Sequence, residues 1–125
     1  FVMSYVIRGL IPDGGGMYFL PRRVGLARAK ELIFSGRMVD ADEAHRINMI
    51  ERVSDPDTLI DDAVDMARSM TAGSADALAL AKSIMNESFE STPEEIFALG
   101  SQAQGICYTT DSHHDAVAAF LDKRK

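Results

Sequence analysis

Residues 9–53 read GLIPDGGGMYFLPRRVGLARAKELIFSGRMVDADEAHRINMIERV. The first thirteen positions, Gly9 to Pro21, hold four glycines, two prolines and one acid, Asp13, among mainly apolar residues. Pro-Asp-Gly is an ordinary turn signal, and an aspartate there can close an Asx turn or cap a following helix. A solvated turn has no need of apolar flanks, and an apolar core excludes an unpaired carboxylate. Gly14, Gly15 and Gly16 carry two readings. They permit tight turns, or they let backbone come close to a ligand and expose N–H groups at a helix start. The sequence lacks the GxxxxGK[ST] of a nucleotide-binding loop.

Downstream of the glycines the pattern is helical. MYFLPRRVG predicts a short helix stopped near Pro21. LARAKELIFSG predicts a helix with Leu26, Ala29, Leu32 and Ile33 on one face and Gly36 just past its end. In DADEAHRIN, Asp40 is placed to cap, Glu43 follows three residues later, and Asn48 suits a left-handed stop. MIERV reads as a short extended segment. Upstream, FVMSYVIR fits a strand or a buried turn of helix, and periodicity cannot decide at that length.

The second half continues in helices. SDPDTLIDDAVDMARSMTAG has turn signals, then Leu59, Ala63, Ala67 and Met70 at helical spacing. SADALALAKSIMNESF places Leu78, Ala81 and Met85 on one face. Thr92 caps the next helix, Pro93 takes its first position, and Glu94 and Glu95 suit its positive end. Asp111 is expected to cap a last helix, DSHHDAVAAFLDKRK, with basic residues at its carboxyl end.

Composition narrows the function classes. The chain has 125 residues, 46 % of them hydrophobic, so a core can form. The net charge of −6 and the pI of about 4.9 argue against a nucleic-acid partner. Cys107 is the single cysteine, which excludes an intrachain disulfide and fits a reducing, cytoplasmic setting. No apolar run reaches the roughly 20 residues of a membrane helix. Phe1 leads straight into an apolar stretch, so the sequence is read as lacking its natural beginning. His113 and His114 are adjacent, about 100° apart on a helix, and no metal site is expected from them. A buried, inert thiol is the expectation for Cys107.

The order and spacing of four motifs resemble the enoyl-CoA hydratase/isomerase (crotonase) superfamily. These are G-L-x-P-D-x-G-G, L-P-R-x-V-G, A-x-E-L-x-x-S/T-G-R and A-x-E-A, and the closing AAFLDKRK resembles the family's usual ending. The resemblance covers nearly all of the chain. It implies the carboxyl-terminal half of a subunit: a mainly α piece of a crotonase-like α/β spiral fold, with one or two short strands. Residues 1–24 would end the spiral core with the Gly-rich active-site loop, and residues 25–125 would form the helical region with the oligomerisation helices. The resemblance implies a homotrimer or hexamer and a coenzyme A thioester as substrate, with no further cofactor.

It also implies roles. Asp13 lies where isomerase-type and dehalogenase-type members carry a catalytic aspartate. Typical hydratases carry a glutamate four residues before Gly9, and this sequence has Tyr5 there, which departs from the two-glutamate pattern. Double-bond isomerisation by proton transfer through Asp13 is therefore expected, with a thioester enolate intermediate; nucleophilic attack by Asp13 is a variant. Tyr5, Pro12, Gly14 and Gly15 would line the substrate pocket, Tyr5 alternatively being a packed aromatic. Phe120 and Lys123 match positions that reach coenzyme A in relatives. The alternative is a core Phe and, favoured for Lys123 among several basic residues at that end, a helix-terminal Lys. The oxyanion donors would come from the other half of the subunit, so these residues alone are expected to be inactive. Two alternatives stand beside this: an enoyl-CoA hydratase, or a non-catalytic helical oligomerisation module or pseudoenzyme remnant.

Overall fold

The computed structural model describes residues 1–123. The chain divides into two compact units, Phe1–Leu59 and Ile60–Lys125.

In the first unit, a short 3-10 turn, Val6–Arg8, precedes helices α1 (Gly16–Val24), α2 (Leu26–Ser35) and α3 (Ala41–Arg46). FVMSYVIR is resolved in favour of a turn, and the expected strands amount to one isolated antiparallel bridge between Val2 and Met38. MIERV is a run of bends without strand pairing.

Pro21 does not stop α1, which runs on to Val24. A proline inside a helix removes one donor, the partner of the carbonyl four residues back. In a nine-residue helix that forfeits a single bond. Arg22 Nη1 donates to the Tyr18 carbonyl at 3.0 Å, in the same turn. Gly25 then separates α1 from α2, and its N–H closes α1 by donating to the Pro21 carbonyl.

The α2 face holds in part. Ala29 and Leu32 are buried, whereas Leu26 remains 61 % exposed. Leu32, Val39 and Ala44 form the core cluster, with Val24, Ile47, Met49 and Ile50 packed around it. Gly36 ends α2 in the left-handed region, φ 57°, and a Cβ there would lie 2.5 Å from Ile7 Cδ1. A side chain would thus meet both backbone strain and a neighbour. Asp40 caps α3, accepting from the Glu43 N–H at 2.7 Å, and Asn48 follows at φ 60°. The reciprocal half of a capping box is absent because the Glu43 carboxylate pairs with Arg37 instead.

The second unit contains α4 (Leu59–Met70, overlapping the boundary by one residue), α5 (Ala75–Glu87), α6 (Pro93–Cys107) and α7 (Asp111–Asp122). Thr92 and Glu95 complete a capping box at the start of α6. α5 packs on α6. The stripe that α5 half-buries is Ala77, Leu80 and Ile84, not Leu78, Ala81 and Met85. Apolar residues run round most of this helix, so spacing alone offers two stripes. Likewise Leu59, Ala63, Ala67 and Met70 of α4 are exposed. The cap of α7 is Thr110, one residue before the expected Asp111, and its side chain accepts from the His113 N–H. Asp111 serves instead as a first-turn acid.

Candidate functional site

The loop between Tyr5 and Gly16 is built by its backbone. The Tyr5 carbonyl accepts from the Arg8 N–H at 2.9 Å and the Leu10 N–H at 3.0 Å. Gly9 closes this turn at φ 71°. Pro12 is buried on the return path of the loop. Asp13 then accepts from the Gly16 N–H through its backbone carbonyl at 2.9 Å. Gly14 and Gly15 both have positive φ, 56° and 84°, so here the glycines are required by the backbone. Gly15 is the residue before α1, and its carbonyl accepts from Tyr18 and Phe19.

This path brings two distant side chains together. The Tyr5 hydroxyl donates to Asp13 Oδ1 at 2.8 Å. Among the described residues, Asp13 Oδ2 accepts no hydrogen bond. The hydrogen bond to Asp13, and then the carboxylate's negative charge, push the Tyr5 phenol above its ordinary value. The residues near Asp13 in sequence include an exposed apolar set: Leu10, Ile11, Met17 and Phe19 are all more than half exposed. A carboxylate held on one oxygen and open on the other, amid apolar surface, is equipped to move a proton once a ligand covers it.

The loop therefore unites Tyr5, Pro12, Asp13, Gly14 and Gly15. Phe120 and Lys123 belong to the second unit. Phe120 is exposed on α7, and Lys123 caps that helix with its N–H on the Ala119 carbonyl. Cys107 is half-buried at the end of α6. His113 stacks edge-on against Tyr108, 5.2 Å between ring centroids.

A small cavity of about 170 Å³ lies elsewhere in the first unit. Leu20, Leu32, Val39 and Met49 line it, with Arg37. None of the loop residues borders it.

Arg37 is the residue that motif reading passed over. It pairs with Glu31 through Nε at 2.6 Å and with Glu43 through Nη2 at 2.7 Å. The signal was present, because each glutamate stands six residues from the arginine, inside the quoted motifs. Arg37 holds both carboxyls below the usual carboxylate value of 4.5, chiefly by direct hydrogen bonds. Lowered folded values mean that the pairs stabilise the fold above the unfolded carboxylate range and lose that contribution as pH falls through it. The expected result is a denaturant midpoint that drops between neutral pH and about pH 3, and drops less in Arg37→Met. The contribution is modest because all three side chains keep solvent contact.

Comparison with known proteins gives a consistent family. The Enoyl-CoA hydratase/isomerase family profile matches residues 1–125. The short-chain-enoyl-CoA hydratase of Clostridium acetobutylicum is 35 % identical over 117 residues, 94 % of this chain and 45 % of that protein. The 1,2-epoxyphenylacetyl-CoA isomerase of Escherichia coli is 36 % identical over 124 residues, 99 % of this chain and 47 % of that protein. The crystal structure of an enoyl-CoA hydratase/isomerase from Cupriavidus metallidurans superposes with a TM-score of 0.92 at 41 % identity, over 98 % of this chain and 46 % of the other. The chain spans about half the length of the relatives it matches. Matched from its first residue to its last, the chain belongs to the enoyl-CoA hydratase/isomerase family.

Proposed function

We propose that this chain supplies the acid/base carboxylate, Asp13, to a subunit that shifts a double bond in an acyl-CoA thioester. Asp13 Oδ2 takes a proton from the carbon beside the thioester carbonyl. The electron pair moves onto the thioester oxygen as an enolate, and the proton is returned at the far end of the conjugated system. The observation that carries this reading is the Tyr5–Asp13 contact, with Oδ2 open. A phenol at residue 5, in place of a second carboxylate, leaves the loop one base and favours proton shuttling over water addition. Pro12, Gly14 and Gly15 fix the carboxylate beside the acyl chain. Phe120 and Lys123 are proposed to meet coenzyme A, the lysine through phosphate. No cofactor beyond the thioester is required. The oxyanion donors lie outside these residues in this reading, so the full-length subunit is the protein to assay. Interconversion of 3-enoyl-CoA and 2-enoyl-CoA, wild type against Asp13→Asn, tests it.

A second reading, assembly without catalysis, is favoured by the apolar side chains left open on the second unit. Phe97, Met85 and Phe120 are each at least 61 % exposed. Exposed apolar side chains of this kind are what an oligomer contact would cover. Both readings predict oligomers, trimers or hexamers, in light scattering of the full-length subunit; a stable monomer removes the assembly role. Among the described residues no helix is long and apolar enough to cross a membrane. A cytoplasmic location is part of the proposal.

A further inference from the structure

We propose that Tyr5 is the positioning residue of the site, holding Asp13 by one oxygen so that the other alone handles the proton. This rests on the reading of Asp13 as the acid/base group. A carboxylate on a short side chain rotates about its terminal torsion and can present either oxygen. The 2.8 Å bond from the Tyr5 hydroxyl to Oδ1 removes that choice.

The backbone makes the contact reproducible. Tyr5 is fixed by the two N–H groups on its carbonyl, and Asp13 by the Gly16 N–H on its own. Pro12, buried, sets the direction of approach. Two rigid attachment points therefore face each other across the turn at Gly9. The half-buried Tyr5 ring also leaves its hydroxyl no other partner among the described residues.

A phenol suits the task for an electrostatic reason. A second carboxylate at residue 5 would repel Asp13 at this distance and be driven to share a proton with it. Tyrosine donates a hydrogen bond while neutral. Asp13 in turn keeps it neutral, since the contact raises the phenol's ionisation above the usual 10.0. The donor thus stays protonated throughout the neutral range. Asp13 thereby keeps Tyr5 in its donating form.

The test is a double-mutant cycle in the full-length subunit, with wild type, Tyr5→Phe, Asp13→Asn and the double variant assayed on 3-enoyl-CoA. Tyr5→Phe is expected to lower kcat by about 10–100-fold, the value of a hydrogen bond to a charged group, with KM within about twofold. In the Asp13→Asn background the same change is expected to cost nothing more, because the two residues act as a unit. A second readout needs no substrate. The ultraviolet phenolate titration of wild type should show one tyrosine ionising at higher pH than in Asp13→Asn. Wild-type kcat in Tyr5→Phe overturns the proposal, as does an equal loss in both backgrounds. So does a phenolate titration that Asp13→Asn leaves in place. Full turnover in Asp13→Asn overturns the catalytic reading itself, and the positioning role falls with it.

Discussion

Asp13→Asn in the full-length subunit is expected to lower kcat for the double-bond shift by about 10²–10⁴-fold, the range for losing a positioned general acid/base. That corresponds to about 2.7–5.5 kcal/mol of transition-state stabilisation. The substitution is chosen for what it preserves. The amide is nearly isosteric with the carboxylate, and its oxygen can still accept from the Tyr5 hydroxyl. The backbone contact to Gly16 involves the main-chain carbonyl and is untouched. Shape and loop geometry persist while basicity is lost. KM should therefore stay near its wild-type value, and the thermal midpoint should not move. Unchanged turnover would remove Asp13 from the chemistry and place the acid/base group on another residue of the subunit. A fall in kcat accompanied by a lowered thermal midpoint would instead assign Asp13 a structural role in closing the turn.

Much of this architecture was legible in sequence because it is encoded locally. The stop at Gly36, the cap at Asp40, the left-handed Asn48 and the cap at Thr92 each need only a few neighbouring residues. What spacing left open depends on partners distant in sequence. α5 is apolar on more than one face, and only packing against α6 selects Ala77, Leu80 and Ile84. Leu26 has the right spacing for the α2 face yet lies beyond the core made by Val39 and Ala44. Pro21 shows the limit of a propensity rule: one lost hydrogen bond does not outweigh a helix whose end is tied at Gly25 and which packs on α2. At the site, the motif named Asp13 and the resemblance named Tyr5, but nothing in the one-dimensional pattern joined them. Eight residues separate the two, and the contact exists only because Gly9 reverses the chain. Asp13 is at the surface, paired on one side, and its apolar neighbours are exposed around it.

Leu32→Ala is expected to destabilise the protein by about 2–5 kcal/mol, the cost of deleting a buried leucine side chain. Among the described residues Leu32 is the largest that is fully buried, at 2 % exposure. The other buried residues of its core cluster, Val39 and Ala44, are smaller, so Leu32 is the largest fully buried contributor to that cluster. Leu32 also borders the cavity of about 170 Å³, and truncation would extend an existing void. The cost should thus lie toward the upper end, since it rises with the volume left empty. Leu26→Ala, on the same helix but 61 % exposed, provides the control and should shift stability by no more than about 0.5 kcal/mol. Denaturant midpoints of the full-length subunit measure both. The consequence reaches the site through packing: α2 supports α1, and the loop carrying Asp13 leads directly into α1. Below its lowered midpoint, Leu32→Ala should therefore retain KM and kcat where the unit is folded, and lose activity in step with unfolding. Loss of kcat at temperatures where circular dichroism still reports full helix would mean that the core sets the carboxylate's geometry as well as the fold's stability.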